Sequence, residues 1–292
     1  MELALITPPA SLEMAHLLPG RFCIASIAGH NEEYCNWFAT QQTLRGNVML
    51  DNGVFEDDSM PEKLYSQVVS QIRPKVLIAH DIINDDCNTN YERAAKYALG
   101  LKEATKAANE ETAYEPEIMF VLQTAIKDAG HWGILYDVLQ KFLDNENLKW
   151  IGICRDLAFQ MVGAFTGTDN QEINRLVLCT CLETQGKWIS RMREAKKKIH
   201  FLGIGDNVNL LQYAWYVDSA DTASFLWQAS IGNTIGGVGV LYTKYKRPYN
   251  YFENDFGDSK EVWAAISHNC YEAQRYAQMA KDLRRQKEGG RL

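Results

Sequence analysis

Short apolar segments rich in strand-forming residues recur along this chain, and helix-like segments separate most of them. Eight such segments are countable, the last weaker than the others. They are Leu3 to Ile6, Phe22 to Ile27, Val48 to Leu50, Val76 to Ala79, Met119 to Leu122, Trp150 to Ile153, Ile199 to Leu202 and Val217 to Ala220. Uninterrupted apolar runs of this kind are typical of strands that are buried on both faces of a parallel sheet.

The intervening segments carry helix signals. Pro61 to Ile72 opens with a proline at a helix-entry position and repeats aliphatic residues at helical spacing. Tyr91 to Asn109 is alanine-rich and amphipathic, and Trp132 to Leu143 and Glu172 to Cys181 follow the same pattern. Because helices alternate with eight strands, the sequence predicts an α/β fold, a (β/α)8 TIM barrel, with an open doubly wound sheet as the alternative.

The length of the chain suits one domain, and its composition changes near the C-terminus. With 292 residues, 46% of them apolar, residues 1–292 can form a single barrel domain. Glycines and then aromatic and polar residues predict an irregular insertion or hairpin over 232–258. Its segment Gly232 to Gly237 favours a turn over a phosphate cradle. Ser259 to Lys287 repeats apolar residues at helical spacing and predicts a C-terminal helix over 259–287.

Composition also bears on compartment and partners. No stretch approaches the roughly 20 apolar residues of a membrane span, and no signal-peptide pattern opens the chain. The seven cysteines are scattered and odd in number, which favours reduced thiols over a disulfide framework. We therefore expect a cytoplasmic protein, in the host cytoplasm if a phage encodes it. The net charge of −7 argues against nonspecific coating of nucleic acid, and the basic run from Lys187 to Lys198 is either a solvated helix face or a phosphate-binding surface.

A barrel would bring polar and small residues at its strand ends to one rim. Three carboxylates, an amide and glycines suit a polar heterocycle such as a purine: carboxylates accept its N–H groups, the amide donates and accepts, and glycine permits close approach. Two carboxylates far apart in sequence, Asp51 and Asp221, suggest chemistry at a sugar carbon. Taken singly, each carboxylate also has a structural reading as a turn residue or helix cap, the amide as a satisfied polar residue, and the glycines as relief of crowding in the barrel. The set is Asp51, Asp81, Gln123, Gly152, Leu202, Gly203 and Asp221.

Several of these segments resemble a known family in the same order. Leu50-Asp51-Asn52-Gly53-Val54-Phe55 resembles the Asp-Ser-Gly-Gly-Phe/Tyr motif of the tRNA-guanine transglycosylases. Later matches are Ile78 to Asp81, Phe120 to Gln123, Trp150 to Ile153, His200 to Gly205 and Val217 to Asp221. The similarity extends from about residue 1 to 230. It implies a TIM-barrel enzyme that exchanges a base in a polynucleotide.

The resemblance also implies a role for each matching residue. Asp221 matches the nucleophile that attacks the anomeric carbon, and Asp51 matches the general acid/base. Phe55 and Leu202 match the two faces that enclose the base. The positions that contact the base include Asp81, Gln123, Gly152 and, on strand seven, Gly203. His200, by contrast, is interpreted as a packing residue beside strand seven.

Two departures from the family bear on the substrate. The tRNA-acting members carry a Cys-x-Cys-x-x-Cys zinc cluster with a later His, whereas here only Cys270, with His268 nearby, follows the last strand. The Thr-Arg segment that follows the nucleophile is replaced by Thr222 to Trp227. We therefore expect no metal or other cofactor. We also expect that the partner is DNA and that the enzyme inserts a 7-deazaguanine such as preQ0 into it. The alternatives are a tRNA-acting enzyme and a noncatalytic nucleic-acid-binding subunit; a homodimer is possible.

Overall fold

The computed structural model describes residues 1–53, 60–83, 85–107, 114–123, 132–205, 208–209, 213, 215–236, 240–241, 247–248, 250–257 and 259–288. Within these ranges, eight parallel strands close into a barrel in chain order, with the last strand beside the first. The predicted (β/α)8 barrel of the α/β class is confirmed. Its strands are β1 Glu2–Ile6, β2 Gly20–Ile24, β3 Val48–Asp51, β4 Val76–Ile78, β5 Glu117–Leu122, β6 Leu148–Ile153, β7 Lys198–Phe201 and β8 Ser219–Thr222.

Closure of the barrel depends on β1, which pairs with strands on both sides. Ala4 lies opposite Gly20 on β2 and opposite Asp221 on β8. A Cβ atom on Gly20 would lie 2.9 Å from the Ala4 Cβ atom, so only glycine lets the two strands approach this closely. Strands β2 and β4 are buried along their whole length, as expected of parallel strands covered on both faces.

Helices cover the outside of the barrel, and the predicted ones are present. The helix predicted at Pro61 begins with that proline as its N-cap, and the side chain of Asn31 caps another by accepting from Tyr34 N at 2.9 Å. The helices are α1 Ala25–His30, α2 Glu32–Arg45, α3 Glu62–Ile72, α4 Cys87–Ala107, α5 Trp132–Asp144, α6 Arg155–Thr166, α7 Gln171–Gly186, α8 Trp188–Glu194, α9 Ser224–Ser230 and α10 Lys260–Glu288.

Each predicted strand differs from the observed one by one to three residues at one end or both, and two of these differences affect the reading of the site. The second strand ends at Ile24, and the apolar residues that follow it form α1, because a short apolar run does not distinguish a strand from a buried helical turn. The eighth strand begins two residues later than predicted, at Ser219. Asp221 therefore lies within the strand near its carboxyl end. Asp218 lies at the amino end, where its Oδ2 atom accepts a hydrogen bond from Ile199 N at 2.9 Å.

The C-terminal helix packs back onto the chain after β8. Asn269 of α10 is fully buried; its Oδ1 atom accepts from Ile235 N at 2.8 Å, and its Nδ2 atom donates to the carbonyls of Phe225 and Asn233 at 3.2 Å. The amide of Ile235 is thus used inside the protein, and Gly232 adopts a turn conformation with φ +82°. These contacts favour the turn over a phosphate cradle.

Only part of the predicted 232–258 insertion falls within the described residues. Its short strand Val240–Leu241 pairs antiparallel with Val208–Asn209. Farther along, Tyr251 is buried, and its hydroxyl donates to Ile6 O at 2.5 Å, which joins this segment to the end of β1. No helix in the described part of the chain is both long and apolar enough to cross a membrane.

The basic run near β7 makes internal contacts. Lys197 Nζ donates to the carbonyls of Asn145 and Leu148 at 2.6 Å, and burial lowers the pKa of Lys197 to about 8. Lys198 pairs with Glu117 at 2.8 Å. Arg191 and Arg193 donate to Gln140 Oε1 and to Trp215 O. Because these four side chains have partners within the protein, the run braces the barrel and does not favour a phosphate-binding surface.

Candidate active site

The predicted site residues follow one arc of the barrel rim. Asp51 ends β3, Asp81 and Gln123 follow β4 and β5, and Gly152 lies in β6. Leu202 and Gly203 follow β7, and Asp221 lies near the end of β8. Because all eight strands are parallel, these residues share the carboxyl-terminal face, where TIM barrels place their active sites. Phe55 lies outside the described residues, so its predicted role is not tested.

Asp221 is buried, and its carboxylate is held by a backbone amide and an imidazole ring. It is 1% exposed. Its Oδ1 atom lies 2.8 Å from His200 Nε2 and accepts from Gly203 N at 3.0 Å; among the described residues, Oδ2 has Gly203 N as its one donor, also at 3.0 Å. The structure therefore unites Asp221 with Gly203, as the sequence predicted. Oδ2 is the less engaged oxygen and the better placed of the two to act as a nucleophile.

His200 packs beside strand seven as expected, and it also contacts Asp221, which the sequence interpretation did not foresee. Its Nδ1 atom lies 2.7 Å from Ser219 Oγ, and its ring stacks on Phe22 at 5.9 Å between ring centres and 5° between planes. If the Ser219 hydroxyl donates to Nδ1, the proton of the neutral ring sits on Nε2 and faces Asp221. The interpretation as a packing residue was incomplete. A sequence signal did exist, since His200 opens the strand-seven segment that precedes Gly203.

Asp81 and Gln123 are joined directly, together with a residue that the sequence did not single out. Asp81 is 4% exposed; its Oδ2 atom accepts from Gln123 Nε2 and its Oδ1 atom from Asn52 Nδ2. Asn52 also donates to Ala79 O at 3.1 Å, so both of its amide protons are used. Asn52 was interpreted only as part of a turn, yet it ties β3 to β4.

The electrostatic environment of Asp81 differs from that of an exposed carboxyl. Burial raises its pKa, and the hydrogen bonds from Asn52 and Gln123 oppose that rise. Each of its oxygens accepts one hydrogen bond from an amide and retains a further lone pair. Within the described residues, Gln123 uses one N–H in this contact and has Oε1 and the second N–H available. The pair therefore offers both acceptors and a donor to a bound heterocycle.

We expect Asp81→Asn to change how stability depends on pH. Because the pKa of Asp81 is raised in the folded protein, its stabilisation is complete below the unfolded pKa of about 3.9 and is lost as pH rises through the folded pKa. The variant lacks this titration. Its urea-unfolding midpoint, measured relative to the wild type, should therefore rise as the pH increases above about 4.

Asp86→Asn is the matched control because hydrogen bonds from Thr89 lower the pKa of Asp86. The stabilisation from that carboxyl is present above its unfolded pKa and is lost as pH falls through the lowered value, below about pH 4. The Asp86→Asn midpoint relative to wild type should stay flat between about pH 5 and pH 8. A flat relative midpoint for Asp81→Asn as well would contradict a raised pKa.

Gly152 and Leu202 are also brought together. A Cβ atom on Gly152 would lie 3.1 Å from Leu202 Cδ1 and 3.1 Å from Met119 Sδ. Glycine on β6 therefore gives the half-buried Leu202 room to lie across the strand. This contact places an apolar side chain on the rim between the Asp81–Gln123 pair and Asp221.

Asp51 occupies the opposite end of the arc. It is half-buried, pairs with Ile24 of β2 and accepts from Gly53 N at 3.3 Å on its Oδ2 atom. Gly53 has φ +75°, and a Cβ atom there would lie 2.5 Å from Ser26 Oγ, so the position requires glycine. The turn reading of Asp51-Asn52-Gly53 is thus correct, and the turn leaves Asp51 at the rim.

The residues considered for zinc lie elsewhere. Cys270 is buried in α10 and burial raises its pKa to about 12, while His268 Nε2 lies 3.2 Å from Ile235 O. Within the ranges that the structure describes, no group of three or more His, Cys, Asp or Glu side chains is placed to hold a metal ion.

Scanning the chain against protein-family models and searching the curated proteins both gave no match. Since a TIM barrel supports many unrelated chemistries, function has to be argued from the residues on the rim.

Proposed function

We propose that this protein is a base-exchange transglycosylase that replaces guanine in DNA with a 7-deazaguanine such as preQ0. The observation that carries the proposal is the buried Asp221 carboxylate, held at the carboxyl rim by Gly203 N–H and His200, with Asp51 on the same rim. A nucleophilic carboxylate and a second carboxyl for proton transfer are what substitution with retention at a sugar carbon requires.

The reaction has two displacements. Asp221 Oδ2 attacks C1′ of the target nucleotide, the C1′–N9 bond breaks, and its electron pair leaves with guanine, which takes a proton from Asp51. A covalent glycosyl-Asp221 ester results. Asp51 then removes the N9 proton of the incoming 7-deazaguanine, whose N9 attacks C1′ and releases Asp221. No electrons are lost or gained overall, and the configuration at C1′ is retained.

Base recognition is assigned to the centre of the arc. Guanine presents N–H donors and a carbonyl acceptor on one edge, which the oxygens of Asp81 and the free amide groups of Gln123 complement. Leu202 supplies one apolar face, and by resemblance Phe55 supplies the other. A flat apolar site offsets part of the cost of taking the base out of its stack.

DNA is preferred over tRNA because the segments that set the tRNA-acting members apart are replaced. The Thr222 hydroxyl after the proposed nucleophile donates to Ile204 O at 2.6 Å and accepts from Ser224 N at 2.9 Å, so it serves the fold and starts α9. A noncatalytic subunit is disfavoured, since it would need neither Asp51 nor Asp221. A cytoplasmic location and a homodimer remain expectations.

One labelling experiment tests the proposal. The protein is incubated with labelled guanine and, in parallel, with double-stranded DNA, single-stranded DNA or tRNA, and the polymer is then isolated and counted. We expect label in DNA and none in tRNA, and unlabelled preQ0 should compete with the labelled guanine. Label confined to tRNA would establish the alternative substrate. Binding of a polymer with no label in any of them would favour the noncatalytic subunit.

A further inference from the structure

Two oppositely charged side chains are buried one turn apart at the start of α7. The side chains of Glu172 and Arg175 are 3% and 0% exposed, and Arg175 Nη1 lies 3.4 Å from Glu172 Oε2. Removing two charges this completely from water is unfavourable unless both are paired and hydrogen-bonded. The rest of their contacts therefore shows what the pair holds in place.

Both side chains bind the loop that follows β7. Arg175 Nη2 donates to Leu202 O, and Glu172 Oε1 accepts from Gly205 N at 3.0 Å. The pair thus holds the backbone on either side of Gly203. This contact joins α7 to the part of the rim that carries the Asp221 carboxylate.

Two aromatic residues keep the pair in this position. The Tyr213 hydroxyl donates to Glu172 Oε2, and the guanidinium carbon of Arg175 lies 5.3 Å from the centre of the Phe201 ring. The guanidinium therefore has a carboxylate, a carbonyl and an aromatic face around it, and little freedom to move.

A single peptide group lies between Arg175 and Asp221. Its carbonyl, from Leu202, accepts from Arg175, and its N–H, from Gly203, donates to both oxygens of Asp221 at 3.0 Å. A peptide group is planar, so fixing the carbonyl also fixes the direction of the N–H. A cationic donor at the carbonyl also polarises the group and strengthens its N–H as a donor.

We propose that Arg175, oriented by Glu172, is a positioning residue that acts on Asp221 through the Leu202–Gly203 peptide. The assignment rests on the proposed function, because it gives Asp221 the role of nucleophile. Arg175 sets the position of the carboxylate, and it does so without touching the substrate.

The chain offers a direct spectroscopic readout of this peptide. Leu-Gly occurs in the sequence only at 99–100 and 202–203. Protein labelled with carbonyl-¹³C leucine and ¹⁵N glycine therefore gives two signals in a carbonyl–amide correlation spectrum. One reports the Leu202–Gly203 peptide, and the other, from Leu99–Gly100 on α4, is an internal control.

We expect Arg175→Lys to move the chemical shift of the Leu202 carbonyl carbon upfield. It should also move the chemical shift of the Gly203 amide proton upfield, as Asp221→Asn should. The Leu99–Gly100 signal should not change in either variant. A Gly203 proton unmoved by Arg175→Lys, or by Asp221→Asn, would overturn the proposal. If Arg175→Lys does not fold, Glu172→Gln is read in the same way, because it keeps an acceptor for Gly205 N and removes the charge that orients Arg175.

Kinetics separate positioning from simple support of the fold. Arg175→Lys should lower kcat for guanine exchange roughly 100-fold and change KM for the free base far less, since Arg175 bonds the peptide that holds Asp221 and not the base itself. A rise in KM with unchanged kcat would overturn the positioning role. If the wild type exchanges no base in any polymer, the proposed function fails, whereas the spectra still decide whether Arg175 controls the Gly203–Asp221 hydrogen bond.

Discussion

Asp221→Asn should abolish guanine exchange, with a loss of at least about 10⁴-fold in kcat, because the variant keeps the shape of the side chain and loses the nucleophile. Asparagine can still accept from Gly203 N or His200, so the fold should survive. Asp221→Ala is the harsher variant. It leaves two buried donors without an acceptor, and each unsatisfied group costs about 1–3 kcal/mol.

The covalent intermediate provides a second measurement for Asp221. Wild-type protein incubated with DNA and no free base should form a protein–DNA adduct that survives denaturing electrophoresis, and Asp221→Asn should form none. Asp218→Asn is the matched control, since Asp218 lies three residues earlier, at the amino end of β8, where it bonds Ile199 N and lies 3.6 Å from Arg284. It should retain activity within about twofold and lose roughly 1 kcal/mol or less of stability. Full exchange by Asp221→Asn, or its loss in Asp218→Asn alone, would refute the assignment of the nucleophile.

Asp51→Asn should slow exchange by about 100- to 10,000-fold, the range typical of losing a positioned general acid/base. Binding of DNA should change little, because Asp51 is half-buried and acts on the proton of the leaving or entering base. The measurements are kcat under saturating base and DNA affinity by fluorescence anisotropy. A large loss of affinity at unchanged kcat would assign Asp51 to binding instead.

A base that leaves without being protonated distinguishes the proposed role of Asp51 from that of Asp221. N7-methylguanine departs as a neutral molecule without needing a proton, so a missing general acid matters much less for its release. Asp51→Asn should therefore release N7-methylguanine from methylated DNA at close to the wild-type rate, whereas Asp221→Asn should not release it. If both variants release this base equally slowly, Asp51 is not the proton donor.

Much of the fold was predictable because its signals are local. Apolar runs of strand-forming residues and helical spacing between them predicted all eight barrel strands, and Pro61 marked the entry to α3. The errors were in bounds, and two are informative: apolar Ala25 to Ile27 belongs to α1, and β8 is displaced by two residues. The first arises because hydrophobicity reports burial and not the type of element, and the second because the extent of a barrel strand depends on its neighbours.

The candidate site was predictable only as a set of residues at strand ends. Asp81 and Gln123 were both named, but the sequence did not show that they bond each other or that Asn52 completes the group. His200 was assigned to packing because its partners, Ser219 and Asp221, follow it by 19 and 21 residues. Contacts at that separation exist only when the strands are aligned.

By itself the sequence determined the alternation of strands and helices, the number of strands, and the carboxylates that end β3 and lie in β8, because these follow from the spacing of apolar and polar residues along the chain. The resemblance had already named Asp221. Only the tertiary structure showed that Asp218 lies at the opposite end of β8 and which donors hold Asp221. It also revealed the buried Glu172–Arg175 pair behind Gly203. The physical reason is that closure of the barrel sets the register of its strands. The register decides which polar groups are buried together, and each buried polar group needs a hydrogen-bond partner.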